Sequence, residues 1–389
     1  MTLPTIQKPS LRFKEFTDNW KQYIIADLLE ERNTQVAQSV EYPLMAFVAY
    51  YGVVEKGERY NREFLVNDIY GKKYKQTEKG DFIYSSNNLE TGSIGLNKYG
   101  KAVISPVYSI FKPTNISDSN FIGFAFQRKK FINSMIKWRQ GVIYGQWKIH
   151  EKDFLNIETL APTKKEQIKI GDFFSNIDDR ISLQQQKVDR LTNIKKSLLQ
   201  KMFPKNGQNT PEIRFKDFDE AWGQQDLASC ALLNKGSQLS KKDMLAEGTY
   251  YVLNGGINPS GFTNEYNTNE NTISISEGGN SCGYVNFNSS KFWSGGHNYT
   301  LTQLKLETNY LYQFLKSKES TIMALRVGSG LPNIQKNSLN EINIFYPSNK
   351  EQKKIGDFLS YLNDLISLNQ DKLDKLKKLK KACLKNMFV

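Results

Sequence analysis

The residues of this chain that could do chemistry sit in loops rich in amides, serine and glycine. In the second half, Asn254-Gly255-Gly256-Ile257-Asn258-Pro259-Ser260-Gly261 is one such loop, and Ser276-Glu277-Gly278-Gly279-Asn280-Ser281 directly follows a strand pattern. Val327-Gly328-Ser329-Gly330-Leu331-Pro332 follows Arg326 at the end of a helical pattern. The first half has Ser85-Ser86-Asn87-Asn88 after a strand pattern, and Arg139-Gln140-Gly141 shortly before Tyr144-Gly145-Gln146-Trp147. Such loops bring main-chain amides and short polar groups close to phosphates, while Asn and Arg bond base edges in pairs. The candidate DNA contacts are Ser85, Asn87, Arg139, Tyr144 and Gln146 in the first half. In the second they are Asn254, Asn258, Ser260, Ser276, Asn280, Arg326 and Ser329. Ordinary turn chemistry is the alternative for any one of them.

Catalytic patterns are thin. Gly71-Lys72-Lys73 lacks the upstream glycine spacing and the Ser/Thr of a nucleotide-binding loop. Two histidines, His150 and His297, leave little room for a metal site or a triad. Asn258-Pro259-Ser260 departs from the Asn-Pro-Pro-aromatic pattern of amino-methyltransferases. Cys230, Cys282 and Cys383 are scattered and odd in number, which suits reduced thiols and a cytoplasmic location. No metal and no cofactor is expected on this chain. No apolar run is long enough to span a membrane, and the N-terminus lacks the apolar core of a signal peptide.

The elements that must position these loops are duplicated. Residues 162–203 and 347–388 align without a gap and are identical at 23 of 42 positions. Leu11–Trp20 (LRFKEFTDNW) is echoed by Ile213–Trp222 (IRFKDFDEAW). The start motifs lie 202 residues apart and the end motifs 185, so the middle of the second copy is 17 residues shorter. Matching ends around divergent middles suggest one scaffold carrying two different readers. The middles read as short strands broken by Gly/Asn/Ser turns, followed by helical stretches. The fold class is therefore α+β: two globular mixed α/β domains joined by two long, antiparallel coiled-coil helices in a pseudo-twofold repeat. Domain boundaries fall at 1–161, 162–203 (first long helix), 204–210 (linker), 211–346 and 347–389 (second long helix).

The coiled-coil seams are Ile177, Ile181, Gln184, Val188 and Leu191, and Leu362, Ile366, Asn369, Leu373 and Leu376, at a 4-3-4-3 spacing. Gln184 and Asn369 place one amide at the same point of each seam, either buried to fix register or drifting toward solvent. Beyond Leu376 the apolar positions are Leu379, Cys383 and Met387, which predicts a break in the heptad. The net charge of +13 points to a polyanionic partner, and residues 162–203 and 347–388 carry +4 and +5 of it.

The chain resembles the specificity subunit of type I restriction–modification enzymes. The resemblance rests on Pro162, Glu166, Gln167 and Ile170 and their copies Pro347, Glu351, Gln352 and Ile355. It rests also on the long helices ending in Met-Phe, the half-unit architecture, and the NGGINPSG and GNSCGYV stretches. It implies a non-catalytic subunit that reads a bipartite, asymmetric double-stranded DNA site, one half per globular domain. It implies helices that set the spacing and hold two adenine-N6 methyltransferase subunits, with restriction subunits joining that core. S-adenosylmethionine and ATP/Mg would belong to those partners. A coiled-coil adaptor that bridges proteins without reading DNA is the competing expectation.

Overall fold

The computed structural model describes residues 8–56, 72–141, 146–205, 207–328, 330 and 332–389. Contacts divide the chain into two compact units, residues 1–184 with 372–389, and residues 185–371. The expected boundaries set the long helices apart from the globular domains. The division between the units falls within each long helix, between 184 and 185 and between 371 and 372.

In the first unit the strands that frame the long helix and the main sheet are β1 (Lys21–Ile24), β2 (Leu29–Glu31), β3 (Phe82–Tyr84), β4 (Ile94–Leu96), β5 (Ser109–Pro113) and β6 (Glu158–Ala161), among other short strands. An antiparallel sheet runs in the order β2-β5-β3-β4, with Phe111 opposite Phe82. Strand β3 is buried along its whole length, as expected of a short apolar run with both faces covered. Helix α1 (Ser119–Phe126) starts at Asp118, whose carboxylate accepts from the Phe121 N–H at 2.9 Å. Helix α2 (Lys129–Ile136) follows. Antiparallel pairing of β1 with β6, Lys21 opposite Ala161, brings the chain back to the start of α3 (Lys164–Lys201).

The second unit repeats this plan. Its matching strands are β7 (Gly223–Asp226), β8 (Leu232–Lys235), β9 (Thr272–Ser276), β10 (Val285–Asn288), β11 (Asn298–Thr302) and β12 (Asn343–Tyr346), beside a separate three-stranded sheet. The sheet order is β8-β11-β9-β10, and β7 pairs with β12 ahead of the second long helix. Helices α4 (Thr308–Ser317) and α5 (Glu319–Ala324) take the places of α1 and α2, and α6 (Asn349–Asn386) that of α3.

The duplicated motifs lock each long helix to its unit. Arg12 donates from Nε and Nη2 to the buried Glu166 carboxylate, and Arg214 does the same to Glu351. Gln167 Nε2 donates to the Pro162 carbonyl at 2.9 Å while its Oε1 accepts from the Asp118 N–H at 3.0 Å. Gln352 repeats this with Pro347 at 2.9 Å and Glu307 at 3.1 Å. Gly171 and Gly356 let the helix approach the start of α1 or α4. A Cβ at Gly356 would lie 2.7 Å from the Tyr310 nitrogen, and one at Gly171 3.0 Å from the Phe121 nitrogen.

The tails of the long helices fill matching sockets. Phe388 packs among Trp20, Phe121 and Phe174 in the first unit, and Phe203 among Trp222, Tyr310 and Phe314 in the second. Arg128 and Lys318 each donate at 3.0 Å to the main-chain oxygen of the residue after that phenylalanine, Val389 and Pro204. Cations suit these positions because helix C-termini carry partial negative charge.

Ile177, Val188, Leu362 and Leu373 are buried, while Ile181, Gln184, Leu191, Ile366 and Leu376 are half-buried. Asn369 is buried and donates to the Leu365 carbonyl at 2.6 Å, so the amide there belongs to the seam. The expected break after Leu376 does not occur. Leu379 is half exposed, and Lys380 takes the next seam position ahead of Cys383 and Met387. A lysine can stand there because Asp178 pairs with it at 2.5 Å and the Phe124 ring lies 5.3 Å from its ammonium group.

Candidate nucleic-acid interface

In the second unit the three expected loops come together with a fourth, Ser294–Asn298, at one end of the sheet. The Gly279 N–H donates to the Pro332 carbonyl at 3.0 Å, and the Ile334 N–H to the Glu277 carbonyl at 2.8 Å. The Glu277 N–H donates to the His297 carbonyl at 3.0 Å, and the His297 N–H to Asn254 Oδ1 at 3.1 Å. Ser276 Oγ donates to the Gly255 carbonyl. Main-chain bonds of this kind turn glycine-rich sequence into a fixed surface, because each tie removes freedom from two loops at once.

Asn258, Ser260, Asn280 and Arg326 are exposed on these loops. Asn254 is half-buried and Ser276 is buried, and both spend their polar groups on neighbouring main chain. Through the Asn254 oxygen and the Ser276 hydroxyl they hold the loops in place. Ser329 lies outside the described residues.

The first unit gathers Ser85–Asn88, Arg139–Gly141 and Gln146–Ile149. Ser86 Oγ accepts from the Ile149 N–H at 3.0 Å, and Asn87 Oδ1 from the Trp147 N–H at 2.6 Å. Gln146 and Trp147 are exposed, and Asn87 is exposed with its oxygen engaged. Ser85 is buried, its N–H donating to the Ser93 carbonyl at 2.9 Å. Arg139 is largely buried against Glu90, with Nη1 2.9 Å from that carboxylate. Ser85 and Arg139 thus build the loop base, which their place beside turn signals did not reveal. Tyr144 lies outside the described residues.

Each unit buries a carboxylate beneath its loops. Glu151 Oε1 accepts from Ser109 Oγ at 2.8 Å and from Lys148 at 2.7 Å. Burial pushes this carboxyl up, but those bonds outweigh it and hold it below the usual carboxylate range. Burial also pushes the nearby Lys75 ammonium down. In the second unit Glu277 Oε1 accepts from Lys235 at 2.7 Å and from the Tyr299 hydroxyl at 2.9 Å. Burial, then that bond, push the Tyr299 phenol well up. Glu277 and His297 were not among the expected contacts. The adjacency of a histidine to Gly295-Gly296 at the start of a strand was the signal that could have found the latter.

Among the described residues no group of three or more His, Cys, Asp or Glu side chains could hold a metal ion. No described helix is long and apolar enough to cross a membrane. The arrangement offers amide, guanidinium, imidazole and hydroxyl groups on rigid loops, a set suited to hydrogen-bonding recognition.

Comparison with known proteins agrees. Residues 220–378 match the type I restriction modification DNA specificity domain. A type I specificity subunit of Mycoplasma pneumoniae is 36% identical over 176 residues, 42% of this chain and 46% of that protein. One from Mycoplasma genitalium is 37% identical over 159 residues, 40% of this chain and 41% of that protein. The chain thus spans less than half the length of these curated relatives. In fold, it is similar to the crystal structure of the type I restriction–modification S subunit from M. genitalium. That likeness has a TM-score of 0.71 at 18% identity, over 98% of this chain and 99% of that one. Residues 220–378 thus carry a type I restriction modification DNA specificity domain, part of the chain is similar to type I specificity subunits, and the fold of an S subunit extends along its length.

Proposed function

We propose that the chain is the non-catalytic, sequence-reading subunit of a type I restriction–modification complex, and that it recognises a bipartite, asymmetric site on double-stranded DNA. The observation that carries this reading is the matching junction in both units (Arg-Glu pair, Gln clamp, aromatic socket) beneath loop clusters of different sequence. Each loop cluster reads one half-site. Asn87, Gln146, Asn258, Ser260, Asn280 and Arg326 are the contacts we assign from the first set of candidates, because all are exposed. The long helices set the gap between half-sites.

The same helices hold two adenine-N6 methyltransferase subunits, with restriction subunits joining them. S-adenosylmethionine and ATP/Mg belong to those partners. Leu183 and Leu368 occupy equal positions in the two repeats, as do Ile194 and Leu379, and all four are between 41% and 66% exposed. Apolar positions exposed twice over suit two copies of one partner.

Binding of duplex DNA by the reconstituted complex at several salt concentrations tests the reading. Specific binding that weakens steeply with salt is expected. Assembly with both partners but no DNA binding beyond that of the partners alone would instead favour a protein adaptor.

A further inference from the structure

His297 is held in a manner unlike its exposed neighbours. Its main chain is tied on both sides, by Asn254 Oδ1 at 3.1 Å and by the Glu277 N–H at 3.0 Å, yet its side chain is 64% exposed. Gly255 (φ +79°) makes the space for it, since a Cβ there would lie 3.0 Å from the His297 Cβ. Nδ1 lies 3.5 Å from Glu277 Oε2. That carboxylate is itself anchored, because Lys235 and Tyr299 occupy Oε1. Oε2 is buried and has no hydrogen-bond partner among the described residues. A buried carboxylate oxygen without a donor is unfavourable, and the imidazole Nδ1–H is the donor the geometry offers it.

The geometry points to His297 as a specificity-determining residue of the second unit, with Glu277 as its positioning residue, reading an exocyclic amino group in the DNA major groove. The inference rests on the DNA-reading function proposed above and deepens it. In the neutral ring, an Nδ1–H directed at that carboxylate selects the tautomer in which Nε2 is an acceptor. Among base edges in the major groove, only cytosine N4 and adenine N6 donate, so an acceptor there selects C or A at one position. Rotating the ring to offer its N–H to a base would give up that contact with the carboxylate. The same cluster ties the His297 main chain to the Asn254 loop, whose Gly255 carbonyl accepts from Ser276 Oγ, so the exposed imidazole stands on the fixed loop surface of this unit.

The test is to sequence methylated adenines in cells carrying the complete complex with the unchanged chain, His297→Ala, or Glu277→Gln. A neutral amide at 277 keeps the size of the side chain but weakens its hold on Nδ1–H. With His297→Ala, preference at one base of one half-site should fall roughly tenfold or more, while the other half-site and the gap stay as they were. With Glu277→Gln the same base should relax by less. Retention of the other half-site in the same reads shows that the variants fold and assemble. An unchanged motif with His297→Ala overturns the inference, as does a uniform loss of methylation at all sites with no altered base preference, which would mark a phosphate contact. Relaxation of different positions by the two variants removes Glu277 from the positioning role. If the unchanged chain itself directs no motif, the proposed function falls and this inference with it; a motif that both variants leave intact sinks the inference alone.

Discussion

Arg12 and Glu166 close the first unit through two parallel hydrogen bonds, each 2.7 Å, to a carboxylate whose side chain is 1% exposed. Arg214 and Glu351 close the second at 2.8 Å. The pairs span 154 and 137 residues, so the 17-residue difference between the copies lies wholly in the segment that each pair encloses. The repeated junction and the variable enclosed segment are therefore separate parts of one unit, with the ion pair at their boundary.

Removing one partner of such a pair leaves a buried charge uncompensated. Arg12→Ala should destabilise the first unit by about 3–5 kcal/mol, and Arg12→Ala with Glu166→Gln should recover part of that loss. Denaturant unfolding followed by the fluorescence of the buried Trp20 checks both.

Phe388 offers a second handle on the same unit. It lies 6.2 Å from Trp20, 5.5 Å from Phe121 and 5.7 Å from Phe174, ring centre to ring centre. Phe388→Ala should cost about 3–5 kcal/mol and speed hydrogen exchange in the last turns of α6. Phe203→Ala should do the same for the end of α3, because its socket is built alike.

These contacts explain what was legible in the sequence and what was not. The repeat, the two long helices and the seam positions through Leu376 follow from identity and spacing, which survive without tertiary context. The bidentate Arg-Glu pairs, although present in both copies of the motif, join segments too distant in sequence to be paired by pattern. Lys380 could not be placed, since a lysine enters a seam only when a neighbour such as Asp178 neutralises it. Among the loop residues, type alone could not separate Asn258 and Arg326, which face solvent, from Ser276 and Arg139, which are consumed by the loop base. That distinction depends on burial. His297 escaped notice because its significance lies in Glu277, reached across two strands.

The exposed apolar positions separate docking from folding. Leu183→Glu and Leu368→Glu should change unfolding stability by no more than about 0.5 kcal/mol, since both side chains are more than half exposed. Copurification of the methyltransferase subunits should fall with each variant and more with both. Undiminished assembly by the double variant would place the docking surface elsewhere.

Glu151 predicts an acid limb in the stability of the first unit. Its carboxyl titrates below the ordinary value of 4.5 in the folded chain. The folded state therefore binds its proton less readily than the unfolded state, so the contribution is fully present above that ordinary value. It is lost as pH falls through the lower folded one. Unfolding measured from neutral pH downward should show a drop that Glu151→Gln makes shallower, the variant being less stable at neutral pH and closer to the parent in acid.

The most direct measurement of the central claim is the map of methylated adenines in cells that carry the complex with and without this chain. Two readers on one duplicated scaffold predict a single asymmetric motif in two parts, separated by a fixed number of unread base pairs and present only with the chain. A chain-dependent motif that is continuous and palindromic, or a methylation map that does not change when the chain is removed, would contradict the account.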